Sequence, residues 1–164
     1  MTRTSSSRDL LLVCSSGGHL LQLIALRAVW GDASRIWVTF DKSDSRSLLD
    51  GEEVVHAYGP TNRNIPSEAV KNFVRNVGLA WRIMRRTRPA VMLTTGAAVA
   101  VPFAWVAKLH GARVVYIESL TRINGPSLSS RLVAPVADRT YVQWPELSEQ
   151  MPGARYLGPV VSLR

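Results

Sequence analysis

Short apolar segments alternate with longer amphipathic segments along almost the whole chain, and this alternation constrains the fold more than any other feature. Six segments have the length and composition of strands, at residues 10–14, 35–40, 54–58, 90–94, 113–118 and 139–142. Several lack polar alternation, as is typical of parallel strands covered on both faces. Helices are predicted between them, at 20–30, 67–88, 97–110 and 127–137. The pattern predicts an α/β, Rossmann-like open parallel sheet with helices on both faces.

Proline and glycine residues support these boundaries. Pro66 fits the first turn of the second helix, Pro89 stops it, and Gly111 fits the end of the third. A chain of 164 residues can bury a core of its own, and we expect one domain over 1–164 with its core at about 9–160. The stretch after Pro145 is the least regular, with room for a short strand at 155–157 and an exit from the domain.

The composition restricts the class of partner. The formal net charge is +8, which indicates a polyanionic partner: a nucleic acid, an anionic membrane or a phosphorylated substrate. Cys14 is the only cysteine, which excludes an internal disulfide or a thiolate metal cluster. The longest uncharged apolar stretch, 97–107, has eleven residues and is too short to span a bilayer, which takes about 20. We therefore expect contact with a membrane to be peripheral.

Three turns of small and polar residues follow the first, fourth and fifth strands, at the edge of a parallel sheet where ligands bind. Their candidate acceptor- and phosphate-binding residues are Ser15, Ser16, Gly17, Gly18, Thr95, Gly96, Ser119 and Arg122. Glycine allows the backbone to approach a ligand closely, and the free N–H groups at the start of a helix favour a phosphate. Two glycines alone fit a bare strand-to-helix turn equally well.

Two residues of these turns are candidate catalytic groups. His19 lies in the first turn of a helix, where the dipole disfavours the imidazolium, so that a neutral ring can accept a proton from a substrate hydroxyl. A local hydrogen bond is the alternative. Glu118 ends an apolar strand, where a carboxylate is costly unless it binds something. An ion pair with Arg122 is the alternative for Glu118.

The helix at 67–88 is amphipathic and basic. An apolar stripe that core packing would explain is formed by Val70, Phe73, Val74, Val77, Trp81 and Met84. No acidic residue lies between 71 and 88, and the candidate membrane surface is Lys71, Arg75, Arg82, Arg85 and Arg86. This pattern fits anionic lipid headgroups better than nucleic acid, for which no recognition motif is present.

Several motifs resemble a known family. They are Ser15–His19, Thr95–Ala97 with Pro102, 117–122, 135–138 and 141–146. The chain resembles the membrane-recruiting subunit of the eukaryotic N-acetylglucosaminyltransferase that adds the second sugar to dolichol pyrophosphate. It is closer still to bacterial exopolysaccharide-biosynthesis homologues of that subunit. The resemblance covers roughly residues 10–160, with the motifs in order.

The resemblance implies the N-terminal half of a split GT-B glycosyltransferase. The chain would bind a polyprenyl-pyrophosphate-linked acceptor at the cytoplasmic face of the membrane, with Gly17, Gly18, His19 and Glu118 in its cleft. A separate C-terminal subunit would bind the UDP-sugar, and no metal or other cofactor is expected. Candidate residues for contact with this partner are Gln143, Trp144, Pro145 and Glu146. Unlike the eukaryotic subunit, this sequence has no N-terminal transmembrane helix, so the resemblance implies that it is anchored peripherally or by another protein.

Two alternatives remain open from the sequence. One is a non-catalytic scaffold that only anchors and positions its partner. The other is a self-sufficient Rossmann enzyme that binds a nucleotide, although the G-x-G-x-x-G motif and the P-loop lysine are both lacking.

Overall fold

A computed structural model describes residues 9–59 and 66–161. Seven parallel strands form one sheet in the order β3-β2-β1-β4-β5-β6-β7. The strands are β1 (Leu10–Val13), β2 (Arg35–Thr39), β3 (Val54–His56), β4 (Val91–Thr94), β5 (Arg113–Ile117), β6 (Arg139–Val142) and β7 (Ala154–Tyr156). The predicted Rossmann-like parallel sheet is confirmed.

Helices cover both faces of this sheet. They are α1 (Gly18–Ala25), α2 (Arg27–Trp30), α3 (Ser43–Leu48), α4 (Pro66–Thr87), α5 (Ala100–Leu109), α6 (Leu128–Val133) and α7 (Pro145–Gln150). Successive β1 residues point to opposite faces: Leu11 packs in the core cluster beneath α4 and α5, and Leu12 packs in the cluster beneath α1. None of the described helices combines the length and the apolar character needed to cross a bilayer.

The chain reverses its direction across the sheet at β1. From β1 it moves outward to β2 and β3, and α4 then returns it to β4 on the other side of β1. The loops that follow β1 and β4 therefore diverge and leave a crevice at the carboxyl ends of these two strands. This topology brings two of the three predicted turns together.

Three differences from the predicted elements have local causes. The helix expected at 20–30 is divided at Leu26 into α1 and α2. The helix expected to begin at residue 97 begins at Ala100, because Ala97 adopts a φ of 71°, which does not fit a right-handed helix. The stretch after Pro145, expected to be irregular, begins within the short helix α7, and Pro145 lies in the first turn of this helix.

The core-facing side of α4 differs from the predicted one. Its buried residues are Asn76, Leu79, Ala80, Ile83, Met84 and Thr87. Of the predicted stripe, Val70, Phe73, Val74 and Trp81 are 63%, 45%, 63% and 46% exposed. At about 100° per residue, this stripe lies roughly a quarter turn from the buried side. Core packing therefore accounts for Met84 and for the partly buried Val77, but not for the four exposed residues.

Candidate functional site

His19 lies at the crevice between β1 and β4. Its Nδ1 is 2.7 Å from the carbonyl oxygen of Thr95, and the Thr95 hydroxyl donates to the His19 carbonyl at 2.7 Å. Because a carbonyl can only accept, Nδ1 carries the hydrogen and Nε2 keeps its lone pair. Burial lowers the pKa of His19, which favours the neutral ring. The half-buried imidazole is therefore held in the tautomer in which Nε2 can accept a proton.

The turn after β4 fits closely against this ring. Gly96 has a φ of 102°, and a Cβ atom at this position would come within 2.7 Å of the Tyr116 hydroxyl and 3.5 Å of the His19 Cε1. Both the backbone conformation and the limited space therefore require glycine. The Thr95–Gly96 turn holds His19 by one hydrogen bond to its ring, one to its backbone carbonyl, and close packing against the ring.

The predicted phosphate-binding turn is partly occupied by the protein itself. Gly17 has a φ of 76°, and its N–H donates to the Asp44 carboxylate at 2.6 Å. Asp44 lies in the first turn of α3 and was not identified from the sequence. In the described part of the chain, the N–H groups of Gly18 and His19 have no acceptor. The Gly17 amide already has an anionic partner, and these two amides remain for a ligand.

The Glu118 carboxylate is bound to its own loop. The residue is 1% exposed, one carboxylate oxygen accepts from the Ser119 N–H and the other from the Ser127 N–H, both at 2.9 Å. No ion pair joins Glu118 to Arg122 among the residues that the structure describes. Glu118 thus fixes the loop between β5 and α6. Of the two candidate bases, only His19 is partly exposed.

The remaining predicted residues of this loop differ in exposure. Ser119 is 5% exposed, and its hydroxyl lies 3.0 Å from that of Thr121. Arg122 is exposed, and its positive charge contributes to the lowered pKa of His19. Ser15 and Ser16 are half-buried in the turn after β1. Among the predicted residues of this loop, Arg122 therefore offers a positive charge that is accessible to a ligand from solvent.

A buried pair of glutamines connects the loops of the rim. Gln143 donates to Gln22 at 2.6 Å and to the Glu118 carbonyl at 2.9 Å. Gln22 donates to the Gly18 carbonyl and accepts from the Leu120 N–H, and Gln143 accepts from the Val160 N–H. Gln143 is only 2% exposed, which removes it from the predicted partner surface. Gln22 is on α1 among apolar residues, and no sequence pattern indicates its role.

The other predicted partner residues remain closer to the surface. Trp144 is half-buried, and its indole N–H donates to the Leu120 carbonyl at 2.6 Å. Pro145 and Glu146 are exposed at the start of α7. On the sheet face that carries α1, an apolar cavity of about 430 Å³ lies over β4, β5 and β6. Its edges include Val29 and Leu157, which are 76% and 79% exposed.

An exposed apolar surface extends over the opposite side of the molecule. We call this the helical apolar patch; it consists of Val70, Phe73, Val74, Trp81, Trp105, Leu109, Leu128 and Leu132, from α4, α5 and α6. The Trp105 indole N–H donates to the Leu132 carbonyl at 2.9 Å, which joins α5 to α6. All five residues of the candidate membrane surface are exposed on α4 next to this patch. Exposed apolar patches of this kind mark interaction surfaces.

Solved structures of other proteins define the fold class. MurG of Acinetobacter baumannii superimposes with a TM-score of 0.70 over 95% of this chain at 16% identity. UDP-N-acetylglucosamine 2-epimerase of Rickettsia bellii superimposes with a TM-score of 0.68 over 92% of this chain, at 10% sequence identity. This chain spans 47% and 44% of those two chains, about half the length of each. Its fold is that of half of a GT-B protein.

The sequence relatives identify the family within this class. Residues 10–160 match the model of the Alg14-like oligosaccharide biosynthesis proteins, and the chain belongs to this family. It is 31% identical to the UDP-N-acetylglucosamine transferase subunit ALG14 of Eremothecium gossypii, over 94% of this chain and 80% of the relative. The human subunit of the same name is 26% identical, over 94% of this chain and 84% of the human subunit. The prediction that this chain is a glycosyltransferase subunit is confirmed at the level of the family.

Proposed function

We propose that this chain is the acceptor-binding and membrane-recruiting subunit of a two-component glycosyltransferase. In this proposal a separate GT-B subunit binds a UDP-sugar, and the sugar is transferred to a polyprenyl-pyrophosphate-linked saccharide in polysaccharide biosynthesis. The observation that carries the proposal is His19, held by Thr95 in its neutral tautomer at the crevice of half a GT-B fold. The relatives, named as transferase subunits, support the division of the enzyme into two chains.

His19 has the properties of a general base for the acceptor hydroxyl. Its Nδ1–H is committed to the Thr95 carbonyl, which leaves Nε2 to take the proton as the hydroxyl attacks the sugar. When Nε2 takes the proton, the imidazolium that forms is stabilised by the hydrogen bond to Thr95 and by the negative charge of Glu118. Glu118 then has a positioning role, because its oxygens accept from the Ser119 and Ser127 N–H groups.

The acceptor pyrophosphate fits the remaining donors of the rim. The N–H groups of Gly18 and His19 lie at the start of α1, where the helix dipole favours a negative charge. The exposed Arg122 adds a guanidinium, which is suited to phosphate oxygens. These groups support the binding of an anionic acceptor on this chain.

Two variants separate the roles of the candidate catalytic residues. With the partner and a lipid-linked acceptor, His19→Ala is expected to lower kcat by about 10²–10⁴-fold and to leave co-elution with the partner intact. His56→Ala is the matched control, because His56 is an exposed residue of β3 outside the crevice. If His19→Ala keeps nearly full kcat while Glu118→Gln abolishes it, the base is Glu118. Full activity in both variants supports the scaffold alternative.

The donor subunit is proposed to cover the cavity over β4–β6 and the exposed part of α7. The side chains at its edge, Val29 and Leu157, carry large exposed apolar surfaces. Leu157→Asp is expected to prevent co-elution of the two subunits. Leu48→Asp, a similar change at an exposed leucine of α3, is expected to leave co-elution unchanged.

Calorimetric titration of this chain alone with UDP is expected to give no measurable binding, because the UDP-sugar is proposed to bind to the partner. Micromolar affinity for UDP would favour the self-sufficient enzyme.

Recruitment to the membrane is proposed to use the helical apolar patch and the basic residues beside it. Each basic residue near an anionic surface contributes about 1 kcal/mol, and salt screens this attraction. Pelleting with anionic liposomes is expected to fall steeply with salt and in an Arg82→Glu, Arg85→Glu, Arg86→Glu variant. Equal binding to neutral liposomes would contradict the electrostatic contribution.

A further inference from the structure

A second cavity, of about 300 Å³, lies between the first half of α4 and the start of α5. One wall is formed by Val70 and Phe73 of α4, and the other by Ala98, Val99 and Pro102. We call it the α4–α5 groove. We propose that it binds the hydrocarbon chain of a lipid-linked acceptor, next to the pyrophosphate. This inference rests on the proposed function, and it adds a binding site for the apolar part of the substrate.

The lining of the α4–α5 groove is suited to a hydrocarbon. Of the described residues that line it, Asn76 alone is polar. Both polar atoms of the Asn76 side chain have a partner: the amide nitrogen donates to the Tyr58 carbonyl and the oxygen accepts from the Tyr58 N–H, both at 2.9 Å. A ligand in the groove therefore meets apolar walls and no polar side chain that lacks a partner.

The groove begins beside the catalytic candidate. Ala98 and Val99 follow directly after the turn in which Thr95 binds His19 and Gly96 packs against its ring. A molecule whose charged head lies at the amides of Gly18 and His19 can therefore extend an attached chain into the groove. The basic and amide-rich rim and the apolar groove together match an amphiphile with an anionic head.

The other end of the groove is continuous with the helical apolar patch. Val70 and Phe73 belong to both, with 63% and 45% of their surfaces exposed. If the patch lies on the bilayer, as proposed above, a chain can pass from the membrane to the rim without crossing open water. The groove then links the membrane surface to the crevice.

Titration of the purified full chain tests this site with defined probes. The probes are inorganic pyrophosphate and farnesyl pyrophosphate, the latter below its micelle concentration. Because burial of each methylene group favours binding, we expect farnesyl pyrophosphate to bind at least about tenfold more tightly than pyrophosphate. The Ala98→Trp variant, which fills the groove from an exposed position, is expected to abolish this difference and to keep the affinity for pyrophosphate.

A tryptophan outside the groove provides the matched control. Val74 is on the same helical apolar patch and does not line the groove, so that Val74→Trp is expected to keep the tenfold difference. Equal affinity of the native chain for the two probes would overturn the groove and leave the acceptor site intact. Loss of the difference in both tryptophan variants would also overturn it. Binding of neither probe would contradict the proposed acceptor function itself.

Discussion

Replacing Gln143 with methionine should destabilise the protein although the two side chains are similar in size. The change removes three hydrogen bonds, to Gln22, to the Glu118 carbonyl and from the Val160 N–H. Gln22 keeps the Leu120 N–H as a partner, whereas the Glu118 carbonyl and the Val160 N–H lose the partner that the structure gives them. A buried polar group without a partner costs about 1–3 kcal/mol, and the Val160 amide is only half-buried. We expect a loss of about 2–4 kcal/mol in the free energy of unfolding.

Thermal and urea unfolding followed by circular dichroism measure this loss. For a chain of this length, the loss corresponds to a fall in Tm of roughly 5–12 °C. Gln150→Met is the matched control, because Gln150 is exposed and makes one long hydrogen bond of 3.4 Å; it should change stability by less than about 0.5 kcal/mol. A double-mutant cycle with Gln22→Met should give a coupling energy of about 0.5–3 kcal/mol. A Gln143→Met protein as stable as the native chain would refute the reasoning.

Three further predictions concern titratable groups. Burial raises the pKa of Cys14 to about 12, so a thiol reagent at pH 8 should label it only after a denaturant is added; labelling of the native protein would contradict this burial. Burial holds the pKa of His19 below its ordinary value of 6.5. The contribution of the neutral His19 to stability is therefore present above pH 6.5 and is lost as the pH falls through the lowered pKa. The stability of His19→Gln should depend less on pH below 6.5 than the stability of the native chain does. The Arg35 guanidinium lowers the pKa of Glu52, so Glu52→Gln should lower the free energy of unfolding by about 1–2 kcal/mol at pH 7. This difference in stability should vanish as the pH falls below 4.5 through the lowered pKa. A difference that stays constant with pH would contradict the ion pair.

The alternation of strands with helices and the convergence of the turns at one edge of the sheet could be predicted from the sequence, because both depend on local patterns. Strand-forming runs between helices define a parallel sheet, and such a sheet gathers the turns after its strands at one edge. The orientation of α4 could not be predicted in this way. Hydrophobic periodicity identifies an apolar stripe, but it does not distinguish packing against the core from contact with a membrane. The side chains that face the core include Asn76, whose amide is hydrogen-bonded to the backbone of Tyr58, eighteen residues away.

The contacts that set the chemistry of the site were also beyond prediction. His19 depends on a carbonyl 76 residues away, and Gln22 and Gln143 are separated by 121 residues. No local pattern carries information about such pairs. Glu118 was singled out because a carboxylate at the end of an apolar strand needs partners, and the structure identifies them as backbone N–H groups of its own loop.

Asp44 occupies one of the amides of the proposed phosphate-binding turn. Because its carboxylate lies 2.6 Å from the Gly17 N–H, any phosphate that uses this amide must first displace an internal competitor. The apparent affinity of each anion is then reduced by the fraction of molecules in which the carboxylate has moved away. At the Gly17 amide itself, a small ion such as inorganic phosphate gains only the exchange of one anion for another. A large ligand with further contacts along the crevice can offset this cost. If the acceptor binds as proposed, the Gly17 amide therefore favours it over free inorganic phosphate.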